Sequence, residues 1–394
     1  MKVALVIWTN PDYYVAIKYT SQIFIERGHE VDILCRNTNE TFMGDVDYPK
    51  AANTIRIGSK REGIQNLLSY LGFLVNVYRK KQKAGYDLII GYDLYGFVAA
   101  FLMTALGKKP LLLYHNFDLS EKFALGFVGR QLKRFEYIGA RRARAVIFPS
   151  LGRAEVFKQE ANLYQQPLIV MNCLRVTEKF ETKGIFRKML AEEGIKAERL
   201  VARLGSIGPG HGIEATIRSV KMWKGDWALV FLGVALGSYM SSMQELVAQL
   251  GLSKRILFKS EVSYEMWNDC LNEADVGLAL YEPININHLA MAGAGQKMFF
   301  YLQVGMPVVL PRLQDFTEIL DKYKFGVGAD ADSAESIASA VNSLLGSQQE
   351  YEKYARNAKE AFVNELNFDT QFSQVLRLLG PNFDDECFSI ADKI

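Results

Sequence analysis

The chain has 394 residues, 49% of them hydrophobic, with 46 basic against 44 acidic side chains. That length suits two domains of ordinary size, and that apolar content can bury a sizeable core, which excludes wholesale disorder. The near-neutral total hides a division: residues 1–197 carry 29 Lys and Arg against 19 Asp and Glu, the remainder 17 against 25, so the halves have opposite signs and point to domains with different partners.

The opening residues, KVALVIW, read as a strand and not as a leader peptide. HEVDILC, DLIIGY, PLLLYH, AVIFPS and PLIVMN follow as strand candidates, separated by amphipathic stretches such as YVAIKYTSQIFIERG. The most apolar window, residues 88–107, contains Asp93 and three glycines. It breaks into strand, loop and helix, so no transmembrane helix is expected. Basic residues gather in YRKKQK (78–83) and GRQLKRFEYIGARRARAV (129–146), both helix-like. These are either solvated helix faces or contacts for anionic lipid, where each Lys or Arg contributes about 1 kcal/mol. Without interleaved stacking aromatics they do not fit nucleic acid. After the polar stretch 172–184 the pattern restarts with RLVARLGS, WALVFLG, RILFKS, VGLALYE and MPVVLP, again spaced by helical segments. A helix (350–379) leads to an irregular tail. Two runs of alternating strand and helix predict two doubly wound, Rossmann-like α/β domains with parallel sheets, and the cleft between such domains is the default active site. The four cysteines and four histidines are scattered without metal or redox spacing, which fits a reducing cytoplasm and argues against zinc.

Three segments of the second half can hold a ligand. In LGSIGPGHGIEATI (204–217), Gly205, Gly208, Gly210 and Gly212 punctuate a loop between strand and helix, letting backbone N–H groups approach an anion. It is neither a Walker loop nor a dinucleotide fingerprint. In AGAGQKMFFYLQVGMPVVL (292–310), Gly295, Gln296 and Lys297 stand at a second helix start. Two anion-friendly sites in one domain suit a diphosphate better than one. In ILFKSEVSYEMW (256–267), a strand runs into a polar loop, Lys259, Ser260, Glu261 and Val262, whose backbone can bond a base edge.

Taken in order, these segments resemble the GT-B glycosyltransferases, and within them glycosyltransferase family 4, over nearly the whole chain. IFIERGHEVDIL, YDLIIGYD, PLLLYHNFDLSE, GSIGPGHGIEATIRSV, RILFKSEVSYEMWNDCLNEADVGLALYEP, GQKMFFYLQVGMPVVL and NFDTQFSQVLRLL carry the likeness. The resemblance implies an acceptor-binding domain, 1–171, rejoined by a crossover helix and tail (367–394), and a donor-binding domain, 172–366. It implies a hexosyltransferase that retains configuration, needs no metal or other cofactor, and uses a nucleotide sugar, UDP-glucose or a related UDP-hexose. No Asp-x-Asp of this chain argues for a metal-bound diphosphate. The family context implies a saccharide or lipid-linked acceptor, surface polysaccharide assembly, and a cytoplasmic enzyme peripheral to the membrane.

The chain departs from the family pattern at its charges. The family's two glutamates fall here on Ala292 and Phe300, so Glu261 and Glu282 become candidate ribose ligands. The family's loop Arg and Lys fall on Ser206 and His211, and an ordinary imidazole is mostly neutral at pH 7. Lys297 is then expected to stabilise the departing diphosphate, and Phe300 either to pack beneath the nucleotide or to belong to the core. The resemblance makes His115, at a strand's carboxyl end, a catalytic candidate facing the donor sugar. Asn10, after the first strand, is either an acceptor contact or an ordinary turn residue. The lost carboxylates leave open a non-catalytic nucleotide-binding partner subunit, while a nicotinamide oxidoreductase is disfavoured by the missing fingerprint.

Overall fold

The computed structural model describes residues 1–37, 52–58, 63–105, 107, 109–176, 184–235, 237–259 and 270–383. The chain forms two compact units, Met1–Arg175 with Phe368–Ile394, and Val176–Asn367.

Unit 1 is built on a sheet of strands β1 (Lys2–Ile7), β2 (Glu30–Arg36), β3 (Ala52–Ile57), β4 (Leu88–Tyr92), β5 (Leu111–His115), β6 (Ala145–Phe148) and β7 (Leu168–Ile169). They lie in the order β3-β2-β1-β4-β5-β6-β7, every pair parallel. Val3–Ile7 and Leu88–Tyr92 are buried throughout, which is the unbroken apolar run of a strand covered on both faces. The sequence pattern missed β3, an edge strand whose ANTIRI alternates irregularly and is only half-buried.

Unit 2 repeats the design with β8 (Arg199–Leu204), β9 (Trp227–Leu232), β10 (Ile256–Lys259), β11 (Val276–Leu278), β12 (Val308–Pro311) and β13 (Gly326–Ala329), in the parallel order β10-β9-β8-β11-β12-β13. Strand β13, GVGA, is the added one, since two glycines and one β-branched residue carry little strand signal. A core of Val201, Leu229, Phe231, Leu278, Val309 and Ile337 ties this sheet to its helices. Both sheets switch direction of growth at their first strand, β1 or β8, and the carboxyl ends of those strands are where such sheets gather ligands.

The two passages of the chain between units are secured side by side in unit 1. Phe368 N–H donates to the Leu174 carbonyl (2.8 Å). The Arg175 guanidinium forks onto Glu26 (2.6 and 2.9 Å) and onto Asp369 (2.7–3.1 Å).

Candidate active site

In unit 2 the loop after β8 and the start of the helix Lys297–Gln303 meet in direct contact. Gly205 has φ +84°, and a Cβ there would stand 2.6 Å from Lys297 Cε, so the lysine stem lies where any other side chain would begin. What sets the helix there is Tyr301, one turn on. Its hydroxyl accepts from Leu204 N–H (2.9 Å) and lies 3.2 and 3.1 Å from the carbonyls of Ala202 and Leu278, pinning the helix to β8 and β11 at once. Its ring rests flat on Gly277, whose Cβ would come within 2.4 Å of the ring, so this approach needs glycine.

Two basic side chains occupy the junction. Lys297 Nζ lies 4.5 Å from the centroid of the Tyr281 ring. Burial, and after it the Arg203 charge, hold its amine well below the usual 10.5. Arg203, on β8 and 2% exposed, donates through Nη1 to the carbonyls of Leu204 (3.1 Å), Gly205 (2.9 Å) and Ser206 (2.5 Å). Its Nε and Nη2 have no hydrogen-bond partner among the described residues. No Asp or Glu of the described residues forms an ion pair with either cation, and burial lowers the Arg203 affinity for its proton. Buried charges are normally paired, so a site holding two unpaired cations favours an anion. Sequence reading missed Arg203; its signal was a basic residue near the carboxyl end of an otherwise apolar strand, directly before a loop without Lys or Arg.

The other candidates of this unit divide. Gly208, Gly210 and Gly212 lie in the loop, and Gly210 and Gly212 take φ +80° and +62°. Ser206 is exposed, and its carbonyl is the one bound by Arg203. His211 packs against Tyr281 and His288, with ring centroids 5.8 and 5.5 Å away. Burial, then the Lys297 and Arg203 charges, push its imidazole down to about 3, so it is neutral and supplies no charge to the unliganded loop. Glu282 fastens the loop: its N–H donates to the Gly210 carbonyl (2.9 Å), and its carboxylate accepts from Gly212 N–H (3.1 Å). Gly295 lies beneath Tyr281, where a Cβ would stand 2.6 Å from the hydroxyl, and Gln296 caps the helix start, its carbonyl accepting from Phe300 N–H (3.2 Å). Phe300 and Ala292, where the carboxylates were expected, are both buried. Lys259 is turned to Glu193 (3.4 Å) and not to the glycine loop. Ser260, Glu261 and Val262 lie outside the described residues.

In unit 1 the carboxyl ends of β4 and β5 form a second polar cluster. His115 is 0% exposed, closed in by Tyr92 and Phe117 (centroids 5.4 and 4.8 Å), with neither ring nitrogen hydrogen-bonded among the described residues. Burial lowers its imidazole to about 3. The ring expected to face the donor sugar is thus neutral and enclosed. Beside it Asp93, at φ +49°, accepts from the N–H groups of Phe117 (2.7 Å) and Asp118 (3.3 Å) and from Asn116 Nδ2 (3.2 Å). Burial raises its carboxyl to about 7. Asn116 Nδ2 also donates to the Tyr114 hydroxyl (3.0 Å), which donates in turn to Glu136, itself paired with Lys133 at 2.8 Å. Lys133 and Glu136, read from sequence as part of a basic outer face, are buried. Asn10 is buried in the turn after β1, its side-chain oxygen accepting from Asp12 N–H and from Arg56 (both 3.3 Å), so it acts as a turn cap.

Two Rossmann-like units with parallel sheets, one carrying a glycine loop at the carboxyl end of its central strand, have the architecture of the GT-B fold. Known proteins extend the assignment. Residues 15–173 match Glycosyltransferase Family 4, and residues 186–361 match Glycosyl transferases group 1. An uncharacterized glycosyltransferase of Methanocaldococcus jannaschii is 22% identical over 94% of this chain and 95% of its own length. The fold is shared with the sucrose-phosphate synthase of Thermosynechococcus elongatus (TM-score 0.75, 14% identity, 96% of this chain and 98% of that one). It is shared equally with HepE of Anabaena, solved in complex with UDP (TM-score 0.73, 15% identity, 96% and 99%) and with UDP-glucose (0.71, 15%, 96% and 99%). The chain belongs to the GT-B glycosyltransferases, of the family 4 type, and is a transferase.

Proposed function

We propose that this chain transfers a hexose from a UDP-sugar, UDP-glucose in the first instance, to a saccharide or lipid-linked saccharide acceptor, with retention of configuration and without a metal, in the assembly of a surface polysaccharide. The observation that carries the donor reading is the pair of basic side chains Arg203, buried, and Lys297, half-buried, beside a glycine loop with no ion pair from a described carboxylate. A nucleotide diphosphate supplies the missing negative charge. As the glycosidic bond breaks, charge builds on the departing diphosphate, and a preset ammonium stabilises that change at little reorganisation cost. HepE, which shares the fold, binds UDP and UDP-glucose, and this supports UDP over other carriers. His115, neutral and at a strand end, retains a positioning role beneath the loop Asn116–Asp118, which Asp93 organises.

We place the enzyme in the cytoplasm, at the inner membrane face. The helix Phe127–Ala140 exposes Phe127, Val128, Phe135 and Ile138 among Arg130 and Arg134, and Phe123 before it is 95% exposed. Mixed apolar and basic side chains on one surface helix fit an anionic lipid interface. No helix of the described residues is long and apolar enough to cross a membrane.

The burial of Phe300 and Ala292 in place of carboxylates favours one second reading, a nucleotide-binding subunit of weak or absent activity. Purified protein incubated with UDP-[14C]glucose, GDP-mannose and ADP-glucose, with and without membrane extract, separates the two. Sugar release or transfer from the UDP donor alone is the expected result. UDP binding with no turnover in any extract would support the second reading, and turnover from GDP- or ADP-sugar would overturn the UDP assignment.

A further inference from the structure

The loop 205–212 presents no Lys or Arg of its own, in a site we read as receiving a diphosphate. The nearest fixed positive charge comes from the strand beneath it. Arg203 is buried, yet it makes no ion pair with any described Asp or Glu. One nitrogen gathers three successive carbonyls of the loop root, Leu204, Gly205 and Ser206, while Nε and Nη2 remain without partners. A guanidinium held this way has two consequences. It turns three carbonyl dipoles inward, leaving that stretch less repulsive to an anion, and it leaves its own charge unneutralised at the root of the loop. The groups that share its surroundings are Lys297, His211, Tyr239, Tyr281 and Tyr301, none of them an acid at neutral pH. The carboxylate of Glu282 is engaged at Gly212 N–H.

We infer that Arg203 is the diphosphate-positioning arginine of this enzyme, acting from the strand through the carbonyls of residues 204–206 and paired with Lys297 across Gly205. A loop that carries no basic side chain thereby keeps two basic side chains beside it. The inference rests on the donor reading given above and goes further in assigning the charge to a residue outside the loop.

The test measures binding of UDP and of uridine to wild type, Arg203→Met, Arg203→Gln and Arg203→Lys by calorimetry, with thermal melting as a check of folding. Uridine has the base and ribose but no phosphate, so the UDP-to-uridine affinity ratio reports the anion site alone. We expect Arg203→Gln, polar but uncharged, to lose about tenfold or more of UDP affinity, equivalent to about 1.4 kcal/mol. Uridine affinity should stay as in wild type, and Arg203→Lys should recover part of the ratio. If Arg203→Met fails to fold, Arg203→Gln decides. A folded Gln variant with the wild-type ratio overturns the inference, as does an equal loss for UDP and uridine, which would mark Arg203 as merely structural. Failure of wild type itself to bind UDP, GDP or ADP would instead refute the donor reading.

Discussion

Replacing Lys297 by Met probes the donor site with little change of shape. The lysine stem is wedged against Gly205, and methionine has nearly the same length and flexibility, so it keeps the packing while deleting the charge. The contact of Nζ with the Tyr281 ring is present without ligand and largely cancels between free and bound protein. What the bound diphosphate loses is one charge-assisted hydrogen bond, about 1.5–3 kcal/mol. That corresponds to a roughly 10- to 150-fold rise in Kd for UDP, read by titration calorimetry. An affinity within about twofold of wild type would refute the placing of the diphosphate at this helix start. The same variant has a signature without ligand. In the unfolded chain Lys297 keeps its proton up to its ordinary 10.5, whereas in the folded protein burial and Arg203 release it at lower pH. Between those limits the unfolded chain binds more protons, so this residue makes stability rise with pH, and its penalty is complete below the folded-state value. Lys297→Met should lack that slope, being relatively more stable than wild type at pH 7 and converging with it toward pH 10. UDP should flatten the wild-type slope by keeping the proton in place. Parallel melting curves for the two proteins from pH 7 to 10 would contradict the unpaired-cation picture.

Two further perturbations separate loop geometry from charge. Gly205→Ala places a methyl 2.6 Å from Lys297 Cε at φ +84°. Lys297 can swing aside, so the stability cost is mainly the left-handed backbone, about 1–2 kcal/mol in denaturant melts, with UDP affinity falling because the ammonium is displaced. In unit 1, Asp93→Asn keeps the shape and tolerates the positive φ. With its carboxyl raised from 3.8 to about 7, folded Asp93 holds its proton where the unfolded chain has lost it. It therefore makes stability fall between about pH 4 and pH 7 and stay low above. His115 and His211, with lowered imidazoles, slope the opposite way from about 3 to 6.5, so only the difference between wild type and Asp93→Asn isolates the carboxyl. That difference should favour the variant increasingly from pH 4 to 7 in urea melts, and a pH-independent difference would mean Asp93 is ionised throughout.

The sheets were legible because their central strands are covered on both faces, so KVALVI, LLLYH and WALVFL appear as unbroken apolar runs. Strands β3 and β13 were not, since an edge strand mixing Asn, Thr and Arg, or one built of GVGA, carries no such run. The glycines and Lys297 could be found because backbone approach to an anion demands particular residue types at particular places. Arg203 was hidden for the opposite reason. A basic residue inside a strand reads as a surface position, and only the absence of cations from the next eight residues hints that it faces inward. The Lys133–Glu136 pair was beyond reach for a similar reason. An i, i+3 ion pair on a basic helix has the same sequence pattern whether it meets water or the Tyr114 hydroxyl.

The loss of both carboxylates changes what the donor site can recognise. A carboxylate at position 300 would serve ribose hydroxyls, and it would also offset part of the charge of Lys297 and Arg203. With Phe300 buried in its place neither happens, and Glu282 is committed to Gly212 N–H. On the proposed donor reading, the site is then strong in phosphate recognition and poor in ribose recognition. UDP and 2′-deoxy-UDP should accordingly bind within about 13-fold of each other, since a hydroxyl without a charged acceptor contributes about 0.5–1.5 kcal/mol, or about 2- to 13-fold. Competition of both against a fluorescent UDP analogue measures the ratio. A preference for UDP of more than about 30-fold, or about 2 kcal/mol, would require a carboxylate on the ribose after all. It would direct the search to Glu261, outside the described residues, because Glu282 can reach a ribose only by releasing the loop it now holds.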